Sequence, residues 1–179
     1  LIIHDILAAL GFERFSIHVN HRLVLNGLLA SLGLAEGAPA ILRALDKLAK
    51  IGAEKVAAEM QATAPVAPEQ ARQILETVQI KGSNSEILEE LEKKIGQHER
   101  AATGIANLRQ LLAAFAAAGI PENRLALDVS IARGLDYYTG TVYETLLDDL
   151  PGIGSICSGG RYDDLASLYS KQHLPGVGA

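Results

Sequence analysis

From about Ala38 to Gly119 the sequence keeps one texture: alanine, glutamate, lysine and leucine, with apolar residues at helical spacing. On both sides of that block the apolar period shifts toward two, the spacing of strands. The order is strand and helix, then a helical block, then strands. It predicts an α+β chain: a mixed sheet with flanking helices, interrupted by an all-helical insertion. The expected division is a sheet-domain segment over 1–37, the helical insertion over 38–120 and a second sheet-domain segment over 121–179.

Ahead of the block, Ile2, Ile3, Ile6, Leu7 and Leu10 lie at helical spacing, and Gly11 follows where a helix stops. Residues 14–19 alternate Phe15, Ile17 and Val19 against Arg14, Ser16 and His18, the pattern of a half-buried strand. Asn20 to Arg22 is expected to turn into a leucine-rich helix over 22–32. In the block, Pro39 suits a first helical turn, Ile41, Leu42, Leu45 and Leu48 make one stripe, and Gly52 ends that helix or starts the next. Residues 63–68, with two prolines, read as a linker before a helix over 69–80. Ser85 is placed to cap a helix over 86–95, and Ile105, Leu108, Leu112 and Phe115 mark a last helix ending at Gly119. After Pro121, Leu125, Leu127, Val129 and Ile131 alternate with Ala126, Asp128 and Ser130, a strand whose partly polar face can carry chemistry. Residues 141–147 and 152–157 read as two more strands, and the turn-like Tyr138-Thr139-Gly140 predicts antiparallel hairpins.

Composition removes several classes. With 49% hydrophobic and 21% charged residues the chain has ordinary globular proportions, and its longest apolar runs, such as 111–120, fall far short of the roughly 20 residues that span a bilayer. No secretory leader pattern opens the sequence, so a cytoplasmic protein without membrane attachment is expected. A net charge of −5 supplies no global attraction to nucleic acid, so RNA contacts would rest on local basic patches. Cys157 is a lone cysteine, which leaves no internal disulfide and no thiol pair for a metal. His18 and His21 with Asp148-Asp149 or Asp163-Asp164 match no metal-ligand spacing, and no bound protein metal is expected.

The densest unusual sequence is Ala132 to Glu144, which holds three of the five tyrosines. A second cluster, Ser158-Gly159-Gly160-Arg161-Tyr162-Asp163-Asp164, reads as a paired-glycine turn followed by an arginine, a tyrosine and two carboxylates. From the residues alone these are rim loops, either a binding site or surface turns. Arg133-Gly134-Leu135-Asp136-Tyr137-Tyr138-Thr139-Gly140 and Gly159-Gly160-Arg161-Tyr162-Asp163 resemble the two histidine-specific signatures of histidyl-tRNA synthetases, in the right order and spacing. Asn20-His21-Arg22 with Leu25-Asn26-Gly27-Leu28-Leu29 is similar to the segment after the second class II motif of that family. Ser158 and Asp164 depart from the usual alanine or cysteine and glycine.

The resemblance implies part of a class II antiparallel sheet and a histidine–tRNA ligase, with histidine, ATP and the histidine tRNA as substrates. It also implies Mg2+ accompanying ATP, and a homodimer in the full-length enzyme. Arg133 matches the arginine set against the α-phosphate, where a planar, permanently charged guanidinium suits developing negative charge and lysine should substitute poorly. Tyr138 and Tyr162 match positions lining the histidine pocket, and Gly159 and Gly160 match a loop that closes on the substrate. Imidazole offers two distinguishable nitrogens, which a pocket with matched polar groups can select without editing. Tyr137 and Tyr143 are left as half-buried packing residues, and Asp136 and Asp163 as holders of arginines such as Arg161. Arg133 shares parity with Leu127, Val129 and Ile131, so the strand must bulge or end near 132–134 to turn it toward substrate. Relative to the family the first two class II motifs, the anticodon-binding domain and the main dimer-forming elements are expected to be missing, which makes the chain an inactive fragment when alone. Two other classes stay open: a silent synthetase-like regulatory subunit of histidine biosynthesis, and a helical module using Lys47, Lys50, Lys55, Lys81, Lys93 and Lys94 toward RNA or protein.

Overall fold

The computed structural model describes residues 1–134 and 137–179. Among these, eight α-helices and five strands form an α+β fold. Helix α1 spans Ile2–Ala9 and is followed by strand β1, Phe15–His21, and helix α2, Arg22–Ser31. The helical run comprises α3 (Ala38–Leu45), α4 (Leu48–Ile51), α5 (Ala53–Thr63), α6 (Pro68–Val78), α7 (Asn84–Ile95) and α8 (Glu99–Ala117). Strands β2 (Leu125–Leu127), β3 (Thr141–Leu147), β4 (Ser155–Tyr162) and β5 (Gly176–Gly178) complete the chain. Among the described residues, no helix is long and apolar enough to cross a membrane.

The sheet order is β2-β1-β3-β4-β5. β1 runs parallel to β2 and antiparallel to β3, while β3, β4 and β5 pair antiparallel in turn. The hairpin expected between the strands around 125–131 and 141–147 is therefore not formed, because β1 lies between them. Only β3 and β4 make the antiparallel neighbours that the sequence suggested.

One face of the sheet is the core. Phe15, Ile17 and Val19 are buried on it, opposite Leu147, Thr145 and Tyr143 of β3. α8 and α2 pack together on this side, and two glycines set how closely they cross. A Cβ on Gly27 would lie 2.5 Å from Ala101 N, and one on Gly104 would lie 2.7 Å from Val24 N, so any side chain at either position forces the helices apart. The apolar stripes of the other helices join the same continuous cluster, from Leu7 of α1 to Leu147 of β3.

Three expectations about boundaries need correction. β1 runs on through His21, so the strand passes directly into α2, with His21 as its N-cap accepting from Leu23 N at 3.2 Å. The cap of α7 is Ser83, not Ser85: Ser83 Oγ accepts from Glu86 N, and Glu86 returns a bond from Ser83 N at 2.7 Å. That is the reciprocal box that a serine three residues before a glutamate forms. β2 stops at Leu127 rather than running to Ile131, although Val129 and Ile131 remain buried. Asp128 ends the strand by accepting Ser130 N on its side chain and Ile131 N on its backbone. The carbonyls of Val129 and Ile131 are then held by the buried Asn20, whose Nδ2 donates to both at 3.0 Å. A side-chain amide takes over where the backbone ladder ends. The outer edge of β2 is closed likewise: Asn84 Nδ2 donates to Leu125 O at 2.9 Å and its Oδ1 accepts from Leu127 N at 2.8 Å.

Candidate active site

The second face of β1 and β3 carries Ser16, His18 and Asn20 opposite Leu146, Glu144 and Val142. A cleft of about 480 Å³ opens beside it, lined by Ile131, Arg133, Gly134, Tyr137, Tyr138, Val142, Tyr143, Ser158 and Gly159, with Arg43 and Asp46 from the α3 side. That size suits a small ligand. A second concavity of about 460 Å³ between α7 and α8 is lined mainly by apolar groups such as Leu88, Leu112 and Phe115.

Arg133 lies beyond the end of β2, in irregular backbone, with its side chain half exposed. The strand thus ends early enough to free this residue from the core parity that Leu127, Val129 and Ile131 keep. Gly134 follows at φ +65°, and a Cβ there would overlap the Tyr138 ring. Only glycine allows that turn and that contact together. Its carbonyl accepts from Tyr138 N at 2.9 Å, which draws Tyr138 back over the sheet.

Tyr138 packs across Gly160: a Cβ on that glycine would sit 2.8 Å from the ring. Tyr137 stacks on Tyr138 at 4.3 Å between ring centroids, tilted 59°. Burial, with the hydrogen bond and charge of Tyr137 next, pushes the Tyr138 phenol up to about 12, so it stays a neutral hydrogen-bonding group at neutral pH. Tyr162 does not line the cleft itself; its ring lies on the same face, over Gly176 and Gly178. Tyr143, on the other face, donates to Gly178 O at 2.7 Å.

The paired glycines correct the sequence reading. Gly159 and Gly160 are not in a turn or loop but in the middle of β4, paired with Tyr143 and Val142 on one side, with Gly160 facing Gly178 on the other. A Cβ on Gly159 would collide with Gly178 O and the Tyr143 hydroxyl. The tyrosine rings crowd both faces of β4, and that crowding, rather than turn geometry, excludes side chains here. The strand accordingly begins at Ser155 and runs to Tyr162, past the 152–157 window.

Around the cleft, Asp163 accepts from Thr139 Oγ1 at 2.7 Å and from Arg161 Nε at 3.0 Å, tying the two motifs together and lowering its own carboxyl. Asp136 lies outside the described residues. His18 bonds Asp128 through Nδ1 at 3.4 Å and meets Ser16 Oγ through Nε2 at 3.2 Å, so it belongs to a polar network on the sheet. Burial raises the Asp128 carboxyl, but bonds from His18 and Ser130 and the charge of Lys81 outweigh it and leave it at about 2. His21 is buried, and desolvation, aided by the charge of Arg161, lowers it to about 4. It is neutral at pH 7. Since Nδ1 accepts from Leu23 N, the proton of the neutral ring sits on Nε2; the Asn107 amide, whose Nδ2 stands 3.2 Å away, must turn to present Oδ1 if it is to accept that proton. Among the described residues, no group of three His, Cys, Asp or Glu could hold a metal ion.

Two participants escaped the sequence reading. Glu144 is in contact with Arg133 Nε, and Asp46 Oδ1 stands 4.0 Å from the same nitrogen. Glu144 was visible as an acidic residue sharing strand parity with Val142. Nothing local in the sequence marks Asp46.

A sheet face that gathers an arginine, phenols and side-chain-free backbone in one cleft can receive a small zwitterionic or anionic ligand. The chain belongs to the histidyl-tRNA synthetase family, whose model matches residues 1–179. It is 53% identical to the histidine–tRNA ligase of Rhodopirellula baltica over 178 residues, 99% of this chain and 40% of that protein. It superposes on the crystal structure of histidyl-tRNA synthetase from a Nostoc species with a TM-score of 0.92 and 37% identity, covering 98% of this chain and 42% of that one. A Bacillus halodurans structure described as an ATP phosphoribosyltransferase regulatory subunit/histidyl-tRNA synthetase shares the fold at TM-score 0.76 and 23% identity, over 93% of this chain and 42% of its own. The chain spans about 40% of the length of the curated relatives it matches.

Proposed function

We propose that this chain is the histidine-selecting part of a histidine–tRNA ligase, which activates histidine with ATP and transfers it to its tRNA in the cytoplasm. The observation that carries the reading is the convergence of Arg133, Tyr138 and Gly159 on one cleft, from the two separate sequence clusters 132–144 and 158–164. On this reading residues 1–37 and 121–179 are segments of the catalytic domain and 38–120 a helical insertion. The adjacency of β1 and β2, with the whole helical run between them in sequence, supports that division. The homodimer typical of the family is part of the same reading.

The chemistry follows from the residues. A histidine carboxylate oxygen attacks the α-phosphorus of ATP, the bond from that phosphorus to the bridging oxygen breaks, and pyrophosphate leaves as histidyl adenylate forms; negative charge grows on the phosphate oxygens on the way. Arg133 supplies a fixed guanidinium against that charge, an effect worth about 3–4 kcal/mol for one preorganised donor. Tyr138 presents a neutral phenol to an imidazole nitrogen, while Tyr162 stands outside the cleft on the same sheet face and backs the strands that carry it. Gly159 and Gly160 let the rings of Tyr143 and Tyr138 lie close against β4, which shapes the wall of the cleft. Mg2+ would come with the nucleotide, since among the described residues no group of three His, Cys, Asp or Glu could hold it.

The regulatory-subunit reading would require no adenylation chemistry at all, and an intact Arg133 beside paired tyrosines weighs against it. Histidine-dependent exchange of pyrophosphate into ATP tests the proposal, measured on this chain and on the R. baltica relative with this chain in place of its matching segment. Exchange that falls about 10²- to 10³-fold in Arg133→Ala is expected. Exchange in the hybrid that ignores Arg133→Ala contradicts the role of this arginine, and a hybrid that folds without exchange contradicts the function.

A further inference from the structure

Arg133 does not stand alone in the cleft. It is half exposed, as is Asp46, whereas the Glu144 side chain is only 14% exposed. Glu144 is therefore the sheltered partner. It sits on β3, facing His18 across β1 and Ser158 across β4. The charged groups around it are Arg133, Asp128, Asp46 and His18. Burial pushes its carboxyl up, and two of those neighbours, Asp128 and Asp46, push the same way; Arg133 and His18 oppose them. A sheltered carboxylate with two acidic neighbours is a poor device for stability, since desolvation offsets much of what its ion pair returns. Its position needs another reason.

We propose that Glu144 is a positioning residue for Arg133: it takes the Nε–H, fixes the guanidinium plane, and leaves the terminal nitrogens for a substrate phosphate oxygen. The idea rests on the role given to Arg133 above. It accounts for why arginine and not lysine stands there, because a single ammonium nitrogen cannot occupy the Nε position beside Glu144 and reach the cleft as well. Asp46, 4.0 Å from the same nitrogen, bounds the guanidinium from the α3 side. Binding of histidine itself does not pass through Glu144, so its loss should strike the chemical step rather than histidine affinity.

The test is a double-mutant cycle in the exchange assay, with Arg133→Ala, Glu144→Ala, Glu144→Gln and the Arg133→Ala/Glu144→Ala double variant. Glu144→Ala is expected to lower kcat about 10²-fold, the scale of misplacing a reacting group by about 1 Å, with the KM for histidine changed less than about twofold. Glu144→Gln, which keeps the shape and an acceptor, should recover part of that loss. In the Arg133→Ala background Glu144→Ala should add nothing, because the two act as a unit. On the 179-residue chain, the Arg133 Nε–H resonance, assigned by its absence in Arg133→Lys, should lose its downfield shift and exchange protection in Glu144→Ala. Should Glu144→Ala fail to fold, Glu144→Gln and the resonance carry the test. If Arg133→Ala is silent, the role of Arg133 itself is wrong. If Arg133→Ala is crippling while Glu144 variants match the parent or add fully to it, Arg133 stands and the positioning role is overturned.

Discussion

The same two strands, β1 and β3, build both halves of this molecule's logic. On one face Phe15, Ile17 and Val19 meet Leu147, Thr145 and Tyr143 under α8; on the other, Ser16, His18 and Asn20 meet Leu146, Glu144 and Val142 beside the cleft. Period-two alternation assigns the faces, but their energetics differ. The core face gains by removing apolar area from water, without needing specific partners. The site face holds groups that are costly to shelter and so must be paired one by one. Asn20 serves two carbonyls, Asp128 collects His18 and Ser130, and Glu144 meets Arg133. Variants on the two faces should consequently fail in different assays.

The largest effect belongs to the core. Phe15→Ala should lower the unfolding free energy by about 3–5 kcal/mol in denaturant titration. The loss includes the Arg124 guanidinium stacked 4.4 Å over the ring, and a value below 1 kcal/mol would break the contrast between faces.

Next comes His21, at the passage from β1 into α2. Its folded pKa is depressed to about 4 from 6.5, so above pH 6.5 it contributes nothing to pH dependence. As pH falls from 6.5 to about 4 the unfolded chain takes up a proton that the folded chain refuses. Stability should drop by about 3 kcal/mol across that window. His21→Asn can still cap α2 and should abolish this part of the pH slope; an unchanged slope would assign it elsewhere.

Asn84→Ala removes both bonds that close the β2 edge and should cost about 1–3 kcal/mol, with faster amide exchange at Leu127. Ser83→Ala removes a helix cap from α7 and should cost about 1 kcal/mol without altering the cleft. A change in Tyr138 resonances on that substitution would show that the helical run and the site face are coupled.

Most of the fold was legible where the signal is local. Gly11 and Gly119 end helices at positive φ as the pattern suggested, and β3 falls on 141–147. Failures came where a distant group replaced a local one. Alternation through Ile131 reads as strand because the side chains are buried alternately, yet the carbonyls there are satisfied by Asn20 instead of a strand neighbour. Glycine pairs read as turns, but the rings of Tyr138 and Tyr143 make glycine the residue that β4 can carry. The motif residues were found as two clusters; the pairing of Glu144 and Asp46 with Arg133 joins β3, α3 and the segment after β2, a relation no single window contains.

The central claim, that the cleft on the site face selects histidine, is tested most directly by titrating the isotope-labelled chain with histidine and mapping the shifts. Saturable perturbation of Tyr138, Ser158 and Gly159, weakened in Tyr138→Phe and absent with lysine as ligand, is the predicted result. Histidine shifts that are missing from these residues, or that gather instead at Leu88, Leu112 and Phe115 between α7 and α8, would contradict it.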